Sequence, residues 1–288
     1  MFGWLKERRR QKILAEPFPQ EWEALLAREV ALWRAVPQEL KPRLRDDLRI
    51  FLAERSWEPC GGIELTEAMG AVIAAQACVL TLGRSVDAFD HVRSVLVYPS
   101  RYWAPGAEED EAGVVTEGYE DLEGEAWERG IVVLSWADLK QDAKRMDGRN
   151  LVLHEFAHQL DLLDFLGAAR PRSAEEKARY GRWRETFLEL YERFCEAVDS
   201  GRKVKVLDEY GADEEAEFFA VATEAFFERG ALLKTHHPEL YGLLGEYYAL
   251  DPAAWPPPPE PEAGEGRRAR RKAQGKAKRR AKGQRAKD

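Results

Sequence analysis

Apolar positions recur at three- and four-residue spacing from residue 18 to about 58: Trp22, Leu25, Leu26, Val30 and Leu32, then Leu44, Leu48, Ile50, Phe51 and Leu52. That period predicts helices, each buried along one stripe. Glu67 to Gly83 predicts a further helix, apolar on nearly every side. Its unbroken reach, Ala71 to Leu82, contains Gln76 and is too short to span a bilayer. Two shorter runs, Val95 to Tyr98 before Pro99 and Gly130 to Ser135, are rich in β-branched residues and predict strands. Between them, Pro105 to Arg129 is polar and acidic, punctuated by Gly106, Gly113, Gly118 and Gly124, and predicts loops or weak strands. Helical spacing then returns over Asn150 to Leu163, Ser173 to Asp199, Asp213 to Arg229 and Pro238 to Leu250. The pattern is that of an α+β chain, mostly helical, with a small sheet.

Charge changes the picture at one end. The formal net charge of the 288-residue chain is -8. Residues 266–288 hold 12 Lys/Arg against one acid, Asp288, so a tail of +11 leaves -19 for the rest. A body that acidic is a poor general binder of nucleic acid, whereas the tail can attract phosphate non-specifically. The tail carries no interleaved aromatic for base stacking. It follows Trp255, four prolines and Glu-Pro-Glu, an extended linker. We therefore expect an N-terminal helical segment (1–60) packed on a catalytic body (61–251), a proline-rich linker (252–265) and a disordered basic tail (266–288). Three scattered cysteines, Cys60, Cys78 and Cys195, make no CxxC pair and suit a reducing compartment. The basic N-terminus (MFGWLKERRRQKILAEPF) lacks the apolar core of a secretory signal and is too thin on its apolar face for a membrane anchor. These features predict a cytoplasmic protein with no membrane span.

The chemistry concentrates in one segment. Only five histidines occur, and two of them, His154 and His158, stand four apart around Glu155. On a helix that spacing turns both imidazoles to one face, where they can share a cation. Asn150 can cap the helix, and Leu153, Ala157 and Leu160 give it a separate buried stripe. Glu155 stands where a carboxylate can take a proton from an attacking water. A catalytic zinc site normally has three protein ligands. No third histidine follows at the metzincin spacing, since Asp161 and Asp164 fill those positions. The third ligand should therefore be a carboxylate, and the helix Asp213 to Glu228 is its best source. Glu217 and Glu224, seven apart, share a face of that helix amid Phe218, Phe219, Val221, Phe226 and Phe227. A carboxylate in such a stripe needs a cationic partner. Glu214, Glu215 and Glu228 read as exposed helical positions.

These residues resemble a known family. The stretches HEFAHQLD (from His154), YGADEEAEFFAVATEAFF (from Tyr210) and GIVVLSWADL (from Gly130) look like the Mlc titration factor A family of zinc peptidases. Those proteins are similar around the active site to the catalytic domain of anthrax lethal factor. Gly62 to Leu65, Val95 to Pro99 and Tyr247 to Pro252 extend the resemblance to roughly residues 1–255. It implies a zincin-like metallopeptidase fold with the sheet beside the active-site helix. It also implies one Zn²⁺ per chain on His154, His158 and Glu217, with Glu155 as general base. A tyrosine seven residues before the ligand glutamate falls on Tyr210, which would stabilise the oxyanion. Asp161 and Glu224 are then left to orient the ligand imidazoles. Two departures, Phe165-Leu166-Gly167 in place of an earlier glycine and Glu215 in place of a proline, touch loop shape rather than a ligand.

The expected activity is hydrolysis of a peptide substrate, aminopeptidase-like and linked to regulation of sugar uptake. In zincins an edge strand beside the active-site helix pairs with extended substrate, and Ile131 to Ser135 is the candidate here. The resemblance also implies a different role, as a sequestering partner of a glucose-responsive transcriptional repressor, with peptidase activity secondary.

Overall fold

Both apolar runs are strands, and a third strand joins them. The computed structural model describes residues 2–100, 130–164 and 174–256. In it β1 (Ser56–Pro59), β2 (Ser94–Tyr98) and β3 (Ile131–Ser135) lie side by side in that order, all parallel. Val95 stands opposite Val132 and Val97 opposite Leu134, and these four side chains are buried. Their neighbours on the other face are only half-buried, as the period of two requires. β3 ends the sheet among the described residues. Gly130 leads into it at φ +70°, and a Cβ there would lie 2.1 Å from the His91 carbonyl oxygen.

The helical reading up to residue 58 runs past its true end. α1 (Phe2–Ala15), α2 (Gln20–Glu29), α3 (Ala31–Ala35) and α4 (Lys41–Glu54) are helical, and the chain then turns into β1. Ser56 N–H bonds to the Arg93 carbonyl and Cys60 N–H to that of Val97, so pairing with β2 overrides local helical preference. β1 is mostly exposed, which is why it left no apolar signature.

α5 (Glu67–Ala77) starts at a Thr66 cap, is buried from Met69 to Ala77, and tightens into a 3-10 turn (Cys78–Thr81). α6 (Trp136–Asp142) follows β3 directly, capped by Ser135. α7 (Leu151–Asp164), α8 (Ala174–Asp199), α9 (Glu215–Glu228), α10 (Gly230–His236) and α11 (Pro238–Tyr248) complete the body. α9 is its axis, buried at every residue from Glu217 to Glu228. Its phenylalanines pack on Trp183 and Phe187 of α8 and on Tyr248 of α11. On the other side, Phe156 of α7 meets Phe51 and Phe89 edge-on. This α+β architecture, mostly helical with a small sheet, is the one the sequence predicts.

All the described residues belong to one compact unit. The acidic stretch 105–129, Phe165 to Gly167, and the linker and tail from residue 257 lie outside the described residues. Among the described residues no helix is long and apolar enough to cross a membrane.

The N-terminus is a docked helix. Arg10 is only 8% exposed, and its guanidinium binds Glu54 through Nε and Nη2 at 2.8 and 2.7 Å, and Asp87 through Nη1 at 2.6 Å. Burial alone would raise the Glu54 and Asp87 pKa values. Arg10, joined at Asp87 by Lys6, outweighs it and holds both below the usual carboxylate range. Carboxylates depressed in this way stabilise fully above their unfolded pKa, and the contribution is lost as pH falls through the folded value. Arg10→Ala leaves the half-buried Glu54 with only the longer Arg55 contact at 3.8 Å and should cost roughly 1–2 kcal/mol, seen as a lower urea midpoint at unchanged slope. The acid-side fall in wild-type stability should flatten in that variant.

Candidate metal centre

Asn150 starts the helix that carries the two histidines. Its Oδ1 accepts the Leu153 N–H at 3.1 Å, satisfying a first-turn donor. Its Nδ2 donates to Gln76 Oε1 and Glu228 Oε1, each at 2.9 Å, and its backbone N–H donates to Glu224 Oε2. Glu228 Oε2 takes the Gly148 N–H at 2.9 Å. The start of α7 is thereby tied to α5 and α9 within the core.

From that anchor, Val152, Leu153, Phe156, Ala157 and Leu160 point inward and are fully buried. His154 and His158 take a different face, turned toward α9, with ring centroids 4.8 Å apart. Opposite them is Glu217. His154 Nε2 lies 3.0 Å from its Oε2 and His158 Nε2 lies 3.3 Å from its Oε1. One donor atom from each residue falls within 4.8 Å of the others. The side chains are 16%, 2% and 7% exposed, so solvent reaches His154 more than the other two.

Burial would raise the Glu217 pKa, but the imidazoles of His154 and His158 outweigh it and hold the carboxyl at about 2. For His154, burial favours the neutral ring, and Glu217 and Glu224 overcome it, driving the pKa well above its ordinary value. Glu217 and Glu224 thus place two buried carboxylates against the His154 ring, one on each nitrogen. Glu217 Oε2 is buried and faces the His154 ring at 3.0 Å. Two imidazole nitrogens and a carboxylate oxygen, converging in this way, fit a divalent cation of intermediate softness.

The remaining predicted residues surround this trio. Glu224, buried on α9, meets His154 Nδ1 at 2.8 Å through Oε1. Glu155, half-buried, is near enough for its charge to raise the His154 pKa. Tyr210 is 51% exposed on a 3-10 turn (Glu209–Ala212), its ring centroid 6.3 Å from that of His154. Asp161 is partly buried on α7, one turn after His158. The reading of Glu228 as an exposed position is wrong: it is 6% exposed and bonded to Asn150 and Gly148. Its signal was present, since it lies four residues after Glu224 and so on the same face. Gln76 was missed as well, although an amide inside an apolar helix must find a partner.

The chain matches the family described as glucose-regulated metallo-peptidase M90 over residues 4–249. It belongs to that family. An uncharacterised protein of Synechocystis is 33% identical over 251 residues, covering 86% of this chain and 90% of the relative. Mlc titration factor A of Cronobacter sakazakii is 30% identical over 235 residues (81% and 87%), and that of Yersinia enterocolitica 29% over 257 residues (88% and 93%). The resemblance seen in the sequence is thus shown. Membership of the M90 metallopeptidases implies a metal, and His154, His158 and Glu217 are the described residues whose donor atoms could hold one.

Asn150→Ala removes the α7 cap and strands buried partners on Gln76 and Glu228, while the backbone N–H to Glu224 remains. We expect a loss of roughly 2–3 kcal/mol in chemical denaturation. A change below about 0.5 kcal/mol, the size of an ordinary surface substitution, would contradict this account of the α7 anchor.

Proposed function

We propose that this M90 chain is a zinc-dependent peptidase in which His154, His158 and Glu217 hold one Zn²⁺. The convergence of those three donors carries the reading. A zinc ion held there supplies Lewis acidity, polarising a scissile carbonyl and acidifying water. Glu155 takes the proton from the attacking water and delivers it to the leaving amine nitrogen as the C–N bond breaks. The Tyr210 hydroxyl donates to the carbonyl oxygen as it gains negative charge. Glu224, against His154 Nδ1, fixes the ring so that Nε2 faces Glu217. Asp161 supports the end of α7 beyond His158 in the same orienting sense.

The substrate is a short peptide and the action aminopeptidase-like, a reading that rests on the sequence resemblance. The family's description as glucose-regulated supports a link to control of sugar uptake. Free Cys60, Cys78 and Cys195 agree with a cytoplasmic site of action. The relatives named Mlc titration factor A support a second reading, binding of a glucose-responsive transcriptional repressor. A pull-down with Glu155→Gln separates the two, because repressor binding should survive while hydrolysis disappears.

Purified protein should carry one zinc per chain, and hydrolysis of short chromogenic peptides should stop with a chelator. His154→Ala and Glu217→Ala should lose the metal, Glu155→Gln should keep it while losing activity, and His236→Ala should change neither. Full zinc content in His154→Ala, or cleavage indifferent to chelator, would sink the assignment.

A further inference from the structure

Tyr210 stands on a single 3-10 turn, and one carboxylate ties that turn to the segment before α7. Asp208 caps it, with Oδ1 accepting the Tyr210 N–H at 3.1 Å. Its other oxygen, Oδ2, accepts from Arg149 Nε at 3.0 Å and again from Nη2. Arg149 immediately precedes Asn150, the cap of α7. One side chain therefore bridges the turn that carries Tyr210 and the segment that leads into the histidine helix.

The rest of the turn is held from below and behind. Gly211 lies so close to α9 that a Cβ there would approach the Phe218 Cα to 3.3 Å, and the Ala212 carbonyl accepts from Tyr191 Oη at 3.3 Å. Upstream, the Lys205 carbonyl is 2.8 Å from His237 Nε2. The next residue, Val206, is forced to φ +78°, a region β-branched residues avoid. A backbone kept in that state is over-determined by its surroundings, and such segments cluster at functional sites.

We propose that Asp208 is a positioning residue for hydrolysis: through its bridge to Arg149 it holds Tyr210 against the face of α7 that carries His154. The proposal rests on the reading of Tyr210 as oxyanion donor. That donor works in proportion to its preorganisation, and the backbone that carries the ring sets where its hydroxyl can reach. The Arg149 side chain is 74% exposed, and an ion pair that open adds little to folding. Loss of the bridge should therefore show in the placement of the turn more than in overall stability.

A double-mutant cycle on the zinc-loaded full chain, cleaving a short p-nitroanilide peptide, tests this. Tyr210→Phe should lower kcat by about 10²- to 10³-fold, as loss of one oxyanion donor does. Asp208→Ala should lower kcat by roughly 10- to 100-fold with little change in KM, the effect of a misplaced group. In the Tyr210→Phe background Asp208→Ala should cost nothing further. Asp208→Asn, which keeps the cap acceptor but loses the charge, should fall between. Hydrogen exchange on the metal-free chain gives a readout apart from activity. Amides from Tyr210 to Asp213 should exchange faster in Asp208→Ala and in Arg149→Ala while α9 stays protected. A full Asp208→Ala penalty on top of Tyr210→Phe, or unchanged exchange in the turn, overturns the positioning role and leaves Tyr210 as donor. If Tyr210→Phe alone leaves kcat unchanged, the reading of Tyr210 falls, and the positioning role falls with it.

Discussion

Three carboxylates are buried on one helix, and the molecule is arranged around making that tolerable, with histidines facing two of them and Asn150 the third. Glu217 and Glu224 project from α9 among its phenylalanines, where an unpartnered carboxylate is strongly disfavoured. His154 and His158 answer them from α7: Glu217 faces both imidazoles, and Glu224 takes the far side of the first ring. The same contact that packs two helices thus defines a cation-seeking centre. A one-residue slip of either helix would separate the donors, so their capping and packing are requirements of the chemistry.

The dipeptide Arg149-Asn150 links the two supports of this centre. Asn150 reaches inward to Gln76, Glu224 and Glu228 and fixes where α7 begins. Arg149 reaches outward to Asp208, beneath the turn that bears Tyr210. Inner and outer supports thereby leave the backbone at adjacent residues, which couples the histidine helix to the tyrosine turn.

The legible part of this protein is the part governed by local period and by scarce residue types. Helical spacing found α5, α7, α9 and α11 within a few residues, and the His154/His158 pair was conspicuous because histidine is rare in this chain. Other features depend on contacts distant in sequence. β1 is a strand because β2 lies beside it, and nothing in Ser56 to Pro59 announces that. Glu228 looks like the polar end of a helix until Asn150, 78 residues earlier, is seen to bury it. Docking of α1 hangs on Arg10 meeting Glu54 and Asp87, partners that no local pattern connects. Choosing Glu217 over Glu224 as the third donor also needed structure or a relative, because both share one face of one helix.

The chemistry proposed for this site turns on where a single ion sits, which anomalous diffraction at the zinc edge would locate. The account predicts one peak per chain, bonded to His154 Nε2, His158 Nε2 and a Glu217 oxygen at about 2.0–2.2 Å. A zinc-replete crystal whose only peak lies elsewhere, for instance at His236 or His237, would contradict it.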